Sequence, residues 1–428
     1  MLDLARETIG QAATGMTTYY SDLADGGRFK PVHDIITTGT PGSATSSVTG
    51  GQTDNPTNYR YNYLANGGFD FIQRWPVALT ANNGSSPLAQ TATGRQPAFD
   101  RMGLTVQTTP DCQFGRIDAI TTPISGSVSR YYGQFKEVTA AGKIICSWAL
   151  TAKETANLRG KNVRFQIKIS TGAWGGSSAF RMGILALGAV GTQDTLPATF
   201  ATQSASASVD PTWGTNLTAI APTVVDGGNL FGVGGATIMQ IPSPGVSAVF
   251  SRYGVVCLVP ATALNIVCVL YTDSQMAIND VFNLAEAGLY LGQEIVDWYP
   301  MTPSQEIRRV ESDYCKTFAL DTAPVQNAAI GNGEWSFVET IAGAAANVSG
   351  RFLFPTRMRV TPTVTFYNPA AANAFVRDVT HSADCTVTTA VNTSDTGVSL
   401  TCTPTAAGTV GGDLRVNLSA ETATTTWC

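Results

Sequence analysis

The sequence predicts a mainly β protein: an N-terminal helical anchor, a β-sandwich, a short linker helix and a C-terminal β-sandwich. Three observations lead there. Charged residues make up 13% of the 428-residue chain, about half the share usual for soluble domains. The surface must therefore be built from Thr, Ser, Asn, Gly and backbone, and 42 glycines with 21 prolines supply the turns that short strands need. Several segments also alternate apolar and polar residues with the period of a strand. A chain of this length exceeds one ordinary core, so two or three domains are expected.

The first segment has its own pattern. Leu2, Ala5, Ile9, Ala12, Met16, Tyr19 and Leu23 alternate spacings of three and four, the a/d seam of a coiled coil. Gly10 and Gly15 weaken an isolated helix, so the seam is read as an oligomerising anchor that other chains complete. The alternative is one amphipathic helix lying on the chain's own body. From Thr37 to Asn58 the composition is that of a linker. Residues 1–58 are thus assigned to anchor and linker.

Residues 59–301 read as short strands of a two-sheet sandwich, the region to which the resemblance given below assigns a jelly roll. From Asn162 to Ile169, Val163, Phe165, Ile167 and Ile169 face one way while Asn162, Arg164, Gln166 and Lys168 face the other, predicting one packed and one wet face. Tyr253 to Tyr271 lacks charge and is long enough for a membrane span, but Pro260 and Asn265 interrupt it. A hairpin of two buried strands is the reading, with no membrane insertion. Gly188 to Val246 carries few strand signals and is expected to be a long, functional loop.

Thr302-Pro303-Ser304-Gln305 places a capping hydroxyl, a proline at the first helical position and a Gln three residues past the cap. A linker helix over residues 302–320 follows, with Ile307, Val310, Tyr314 and Phe318 as its apolar stripe and Arg308, Arg309, Glu311 and Lys316 outside. Residues 321–428 form the second sandwich. There Val360, Pro362, Val364 and Phe366 alternate against threonines, and Leu414, Val416 and Leu418 alternate against Asp413, Arg415 and Asn417.

The N-terminus lacks the basic and apolar regions of a secretory signal, so synthesis in the cytoplasm is expected. Eight cysteines in such a product read first as buried thiols. Cys385 and Cys402 are the pair to test: if a hairpin sets Val387 opposite Leu400, Cys385 faces Cys402, and a disulfide becomes possible.

Catalytic chemistry finds little support. The two histidines, His33 and His381, have no metal-spaced partner, and no Walker loop, nucleophile elbow or HExxH is present. No cofactor or metal is expected. Asp100, Asp111, Asp210 and Asp226 could in principle form the carboxylate pair of a glycosidase, but nothing in the sequence selects two of them. A net charge of -5 offers no basic stripe for nucleic acid. Glycan binding needs less: an aromatic face and a few polar groups. Trp174, set among glycines, and Trp213, in the long Gly188 to Val246 stretch, are the candidate platforms; either ring could instead plug a sandwich end.

Two distant stretches carry a resemblance. They are Asn66-Gly67-Gly68-Phe69-Asp70-Phe71-Ile72-Gln73-Arg74, and Phe282 to Glu294 continuing to Glu306-Ile307-Arg308-Arg309-Val310 and Tyr314-Cys315. Phe99-Asp100-Arg101-Met102, Leu158 to Phe165, and Phe354 to Thr365 add to it. In order and spacing these resemble tailed-bacteriophage virion proteins of the tail-fibre, collar-spike and capsid-fibre type, whose jelly roll is similar to carbohydrate-binding modules. The resemblance covers roughly Tyr59 to the end. It implies a virion protein attached through its N-terminus to other virion proteins, homotrimeric, and engaged with host cell-surface polysaccharide. A purely structural appendage and a glycan-degrading tailspike are the alternatives it leaves.

Overall fold

The computed structural model describes residues 19–22, 28–31, 61–75, 94–107, 112–138, 142–172, 174, 179–233, 236–241, 248–339, 347–405 and 412–422. Contacts divide the chain into two units, Met1–Asp54 and Asn55–Cys428. In the first, Tyr19–Asp22 pairs antiparallel with Arg28–Pro31, placing Tyr19 opposite Pro31. This corrects the helical seam at Tyr19. Tyr19 and Tyr20 are strand formers, and the Gly26-Gly27 dipeptide between the two segments has the composition of a turn. The other seam positions, Leu2, Ala5, Ile9, Ala12, Met16 and Leu23, lie outside the described residues.

Two antiparallel sheets form the first sandwich of the second unit. The six-stranded sheet runs in the order Pro222–Asp226, Ser251–Leu258, Asn162–Thr171, Val281–Leu291, Tyr131–Glu137, Cys112–Asp118. The eight-stranded sheet centres on Phe180–Leu187, Asn265–Thr272 and Ile144–Ala149. Val163, Phe165, Ile167 and Ile169 enter the shared core as their alternation requires, beside Trp148, Phe282 and Leu289. A five-residue helix, Ala152–Ala156, was not legible beforehand; a capping box holds it, with Glu154 N–H donating to Thr151 Oγ1 at 3.2 Å and Thr151 N–H to Glu154 Oε2 at 2.8 Å.

The hairpin expected around Pro260 is an arch instead. Ser251–Leu258 pairs with Asn162–Thr171 in one sheet, whereas Asn265–Thr272 pairs with Phe180–Leu187 and Ile144–Ala149 in the other. Both strands are apolar because each borders the core from its own side. Asn265–Thr272 is also covered outside: Val267, Val269 and Tyr271 pack against Leu196, Phe200 and Leu217 of the long insertion. That insertion is thus no open loop. It contributes the strands Leu217–Ile220, Pro222–Asp226, Asn229–Val233 and Ala236–Ile241, and its Thr- and Gly-rich composition hid them from periodicity.

In the second sandwich, Gly412–Glu421 is the hub, paired with Tyr314–Lys316, Trp335–Glu339, Thr363–Tyr367 and Arg377–Asp378. Val348–Leu353, Gly397–Thr403 and Val387–Val391 make the facing sheet. Leu414, Val416 and Leu418 are buried between them, as alternation predicts. The linker helix is shorter than expected, Pro303–Glu311. Tyr314 is already in a strand and Phe318 lies beyond it, because strand pairing with Ser419 to Glu421 satisfies the backbone that a longer helix would have used. The cysteine register also differs. Val387 lies opposite Thr403 and Ala390 opposite Leu400, so Cys402 faces Thr388. Cys385 is a buried free thiol whose N–H bonds to Val376 O at 2.8 Å; a longer turn than the sequence suggested shifts the strands by three residues.

The motif residues converge where the two sandwiches meet. Arg74 pairs with Asp100 at 2.8 Å and with Glu421 at 3.0 Å, and stacks on Tyr314 at 4.1 Å. Arg101 bridges Glu154 at 2.9 Å and Asp313 at 2.5 Å, and Asp313 also holds Arg359 at 2.8 Å. Glu306 accepts from Asn66 N–H. Arg309 donates to the carbonyls of Asn62 at 3.0 Å and Tyr63 at 2.8 Å, and Lys316 to Gln73 O at 2.9 Å. Arg309 and Lys316, expected on a wet helix face, therefore tie the joint together. Burying so many charges is tolerable only because each has a close counter-charge or acceptor.

Candidate functional site

The outer face of the six-stranded sheet carries the site. Its floor is the polar side of Asn162–Thr171, which was expected to meet water. Arg164 and Gln166 are instead buried, at 2% and 3% exposure, beneath the segment after Val281–Leu291. Gln166 clamps that segment by both ends of its amide, donating to Val296 O at 2.5 Å and accepting from Val296 N–H at 3.3 Å. Arg164 adds a bond to Gln293 O at 3.1 Å and an ion pair to Asp226 at 2.7 Å.

A bulge aims the next group. Between Ala285 and Gly288 the register of Val281–Leu291 shifts, and Glu286 adopts φ +53°, a conformation that costs a non-glycine residue about 1–3 kcal/mol unless its surroundings hold it. They do. Ala287 N–H donates to Gly67 O at 2.9 Å, Asn62 Nδ2 to Ala287 O at 3.0 Å, and Leu289 N–H to Asn62 Oδ1 at 3.0 Å. The Glu286 carboxylate is thereby presented to Ser127 Oγ at 2.8 Å, Val128 N–H at 2.7 Å and Lys168 Nζ at 2.8 Å.

Trp298 forms one wall. It comes so close to Gly67 and Gly68 that a Cβ at either would lie 3.0 Å from its Cη2 or 3.2 Å from its Cζ2, which is why two consecutive glycines suit this turn. Between wall and floor lies a cavity of about 260 Å³ lined by Val128, Gln166, Lys168, Arg252, Glu286, Val296, Asp297 and Trp298. Burial pushes the pKa of Arg164, beneath the floor, down against the pull of Asp226. An aromatic wall with several hydrogen-bonding side chains suits a hydroxylated ligand.

The sequence-chosen tryptophans lie elsewhere. Trp174 is a correction: it is 8% exposed and packs into the core against Phe180 at 5.1 Å and Phe282 at 6.4 Å, filling a sandwich end. Trp213 is half-buried against Phe200 at 6.0 Å and Tyr271 at 5.7 Å, where it helps the insertion cover the eight-stranded sheet. The structure does not bring the two together. Nor does it pair the carboxylates: Asp100 serves Arg74, Asp210 binds Arg181 and Tyr271, Asp226 holds Arg164, and Asp111 lies outside the described residues. Trp298 was missed because nothing local in Val296-Asp297-Trp298-Tyr299-Pro300 distinguishes it. Its distant neighbours, the paired glycines of the first motif, are the signal that could have found it.

No known family profile matches the chain, and no curated protein sequence does. Among solved structures, similar ones include the enzymatically active domain of tailspike protein 4 of bacteriophage CBA120, with a TM-score of 0.26 and 9% identity over 45% of this chain and 19% of that one. The module TmCBM61, solved in complex with beta-1,4-galactotriose, gives a TM-score of 0.27 and 9% identity over 55% of this chain and 99% of that one. The CBM22-1 and GH10 modules of xylanase 10B from Clostridium thermocellum, complexed with xylohexaose, give 0.24 and 11% over 44% of this chain and 26% of that one. The chain thus spans about a fifth of the tailspike chain and a quarter of the xylanase chain, and at these scores the likeness carries no function with it. Among the described residues no helix is long and apolar enough to cross a membrane, and no three His, Cys, Asp or Glu side chains cluster as a metal site.

Proposed function

We propose that this chain is a fibre or spike component of a tailed-phage virion that binds a host-surface saccharide in the cleft beside Trp298. The observation that carries the binding half is the cleft itself: an aromatic wall, charged and amide side chains, and about 260 Å³ of open space on a sheet face. The virion half, with N-terminal attachment and a homotrimeric state, rests on the motifs quoted from the sequence. Their convergence on one ion-paired joint suits a part that bears load between two modules.

Binding without cleavage is the second element of the proposal. Ser127 Oγ, Val128 N–H and Lys168 Nζ all donate to the Glu286 carboxylate, so its lone pairs are engaged by the protein rather than turned to a ligand. The test is a glycan array probed with the full chain and with Trp298→Ala, alongside an assay for new reducing ends. Saccharide binding that depends on Trp298, with no shortening of the polymer, supports the reading. Released reducing ends would favour the tailspike alternative, and the absence of any bound glycan would favour the purely structural one.

A further inference from the structure

Lys168 and Arg252 are direct cross-strand partners on the outer face of the six-stranded sheet. Like charges in that position repel, so something must compensate them. For Lys168 it is Glu286, whose carboxylate is already occupied by Ser127 and Val128. For Arg252 it is Asp297, at a loose 3.5 Å and with its side chain wholly exposed to water. Gln166 is committed at both ends to Val296. Apart from the exposed Asp297 carboxylate, what the cleft has left to offer a ligand is donors, the remaining N–H groups of Lys168 and the Arg252 guanidinium, with the Trp298 ring beside them.

Building on the saccharide reading above, we propose that the cleft selects an acidic saccharide, whose carboxylate takes the place of Asp297 on Arg252. Asp297 then acts as a built-in counter-ion, holding the guanidinium until the ligand displaces it. Such an exchange keeps one carboxylate on the guanidinium while Asp297 turns to water. A neutral sugar would leave the Arg252–Asp297 pair in place and gain nothing from it. Trp298 favours a sugar over a bare carboxylate, because a pyranose presents a C–H face that can stack while its acid group reaches the guanidinium.

The experiment is a titration of the full chain with polygalacturonate, hyaluronan, dextran and polyglutamate at low and high salt. The two acidic glycans should bind well ahead of dextran, and more weakly as salt rises. Arg252→Ala should weaken them about tenfold, and Asp297→Asn should tighten them about two- to fivefold, the range of an exposed ion pair. A gain cannot come from misfolding, so Asp297→Asn keeps the test clean. Equal binding of dextran that Trp298→Ala abolishes would overturn the acidic preference while leaving the saccharide reading intact. Equal binding of polyglutamate would overturn the sugar requirement. If no glycan binds, or Trp298→Ala changes nothing, the saccharide reading itself falls.

Discussion

Arg101 of the first sandwich donates to Asp313, the residue that leads into the second, at 2.5 Å, with both side chains almost fully shielded from water. The same Asp313 holds Arg359 at 2.8 Å, and the same Arg101 holds Glu154 at 2.9 Å. One carboxylate therefore balances two guanidiniums across the joint. Asp313→Asn should take the shared counter-charge from Arg359 and leave Arg101 to Glu154, lowering stability by about 3–5 kcal/mol in denaturant unfolding, as breaking a buried pair does. Replacing Arg101 and Asp313 together by apolar residues should recover part of the loss. An Asp313→Asn chain less than about 1 kcal/mol weaker than the parent would show that the joint does not depend on this pair.

The joint should also respond to pH through Lys316. Burial lowers its pKa to about 8 against the opposing pull of Asp100 and Asp321, whereas an unfolded lysine titrates near 10.5. Between those values the unfolded chain binds more protons, so stability rises as pH increases from 8 to 10.5 and is lost again as pH falls back through 8. Lys316→Met removes this contribution. The difference in unfolding free energy between parent and variant, measured across that window, should grow in the parent's favour with rising pH; a flat difference would refute the assignment.

Much of this fold was legible from local pattern and little of the cleft was. Val163, Phe165, Ile167 and Ile169, and Leu414, Val416 and Leu418, announce themselves because a half-buried strand must alternate. Which strand pairs with which is another matter. Pro260 marks a turn equally well whether its flanks share a sheet or change sheets, so the arch reads as a hairpin until Ser251–Leu258 is seen beside Asn162–Thr171. The cleft fails for the same reason at longer range. Arg164 and Gln166 look solvent-facing within their strand, and only a segment some 130 residues later covers them. The strand period told which face was polar, not what would cover it. Trp174 misled because small neighbours suggested exposure, while Phe180, six residues on in one sheet, and Phe282, about a hundred residues later in the other, bury it.

The tryptophans now separate by expected effect. Trp174→Ala removes a core ring and should cost about 3–5 kcal/mol of stability, with saccharide binding by the folded fraction unchanged. Trp213→Ala should cost less, since the ring is only half-buried where the insertion covers Tyr271 of the eight-stranded sheet. Trp298→Ala should alter binding most, weakening it by about 1–3 kcal/mol as an aromatic contact at a binding surface does. Melting curves and glycan titrations on the same three proteins decide it. If Trp174→Ala lost binding while keeping its melting temperature, the core assignment of that ring would be wrong.

Gly67 links the fold to the cleft most directly. A methyl group there would lie 2.0 Å from Ala287 O and 3.0 Å from Trp298 Cη2, so Gly67→Ala must push apart the turn, the bulge and the aromatic wall together. The bond from Ala287 N–H to Gly67 O would stretch, releasing the backbone that fixes Glu286. We expect a loss of about 1–3 kcal/mol, typical of forcing an extra carbon into packed structure, and weakened saccharide binding in the protein that remains folded. Gly183→Ala is the control: its added carbon would meet Ile238 at 3.6 Å, an ordinary contact, and should change stability and binding little. Should the two variants behave alike in melting and in titration, the bulge does not depend on the glycine turn, and the placement of Trp298 and Glu286 must have another origin.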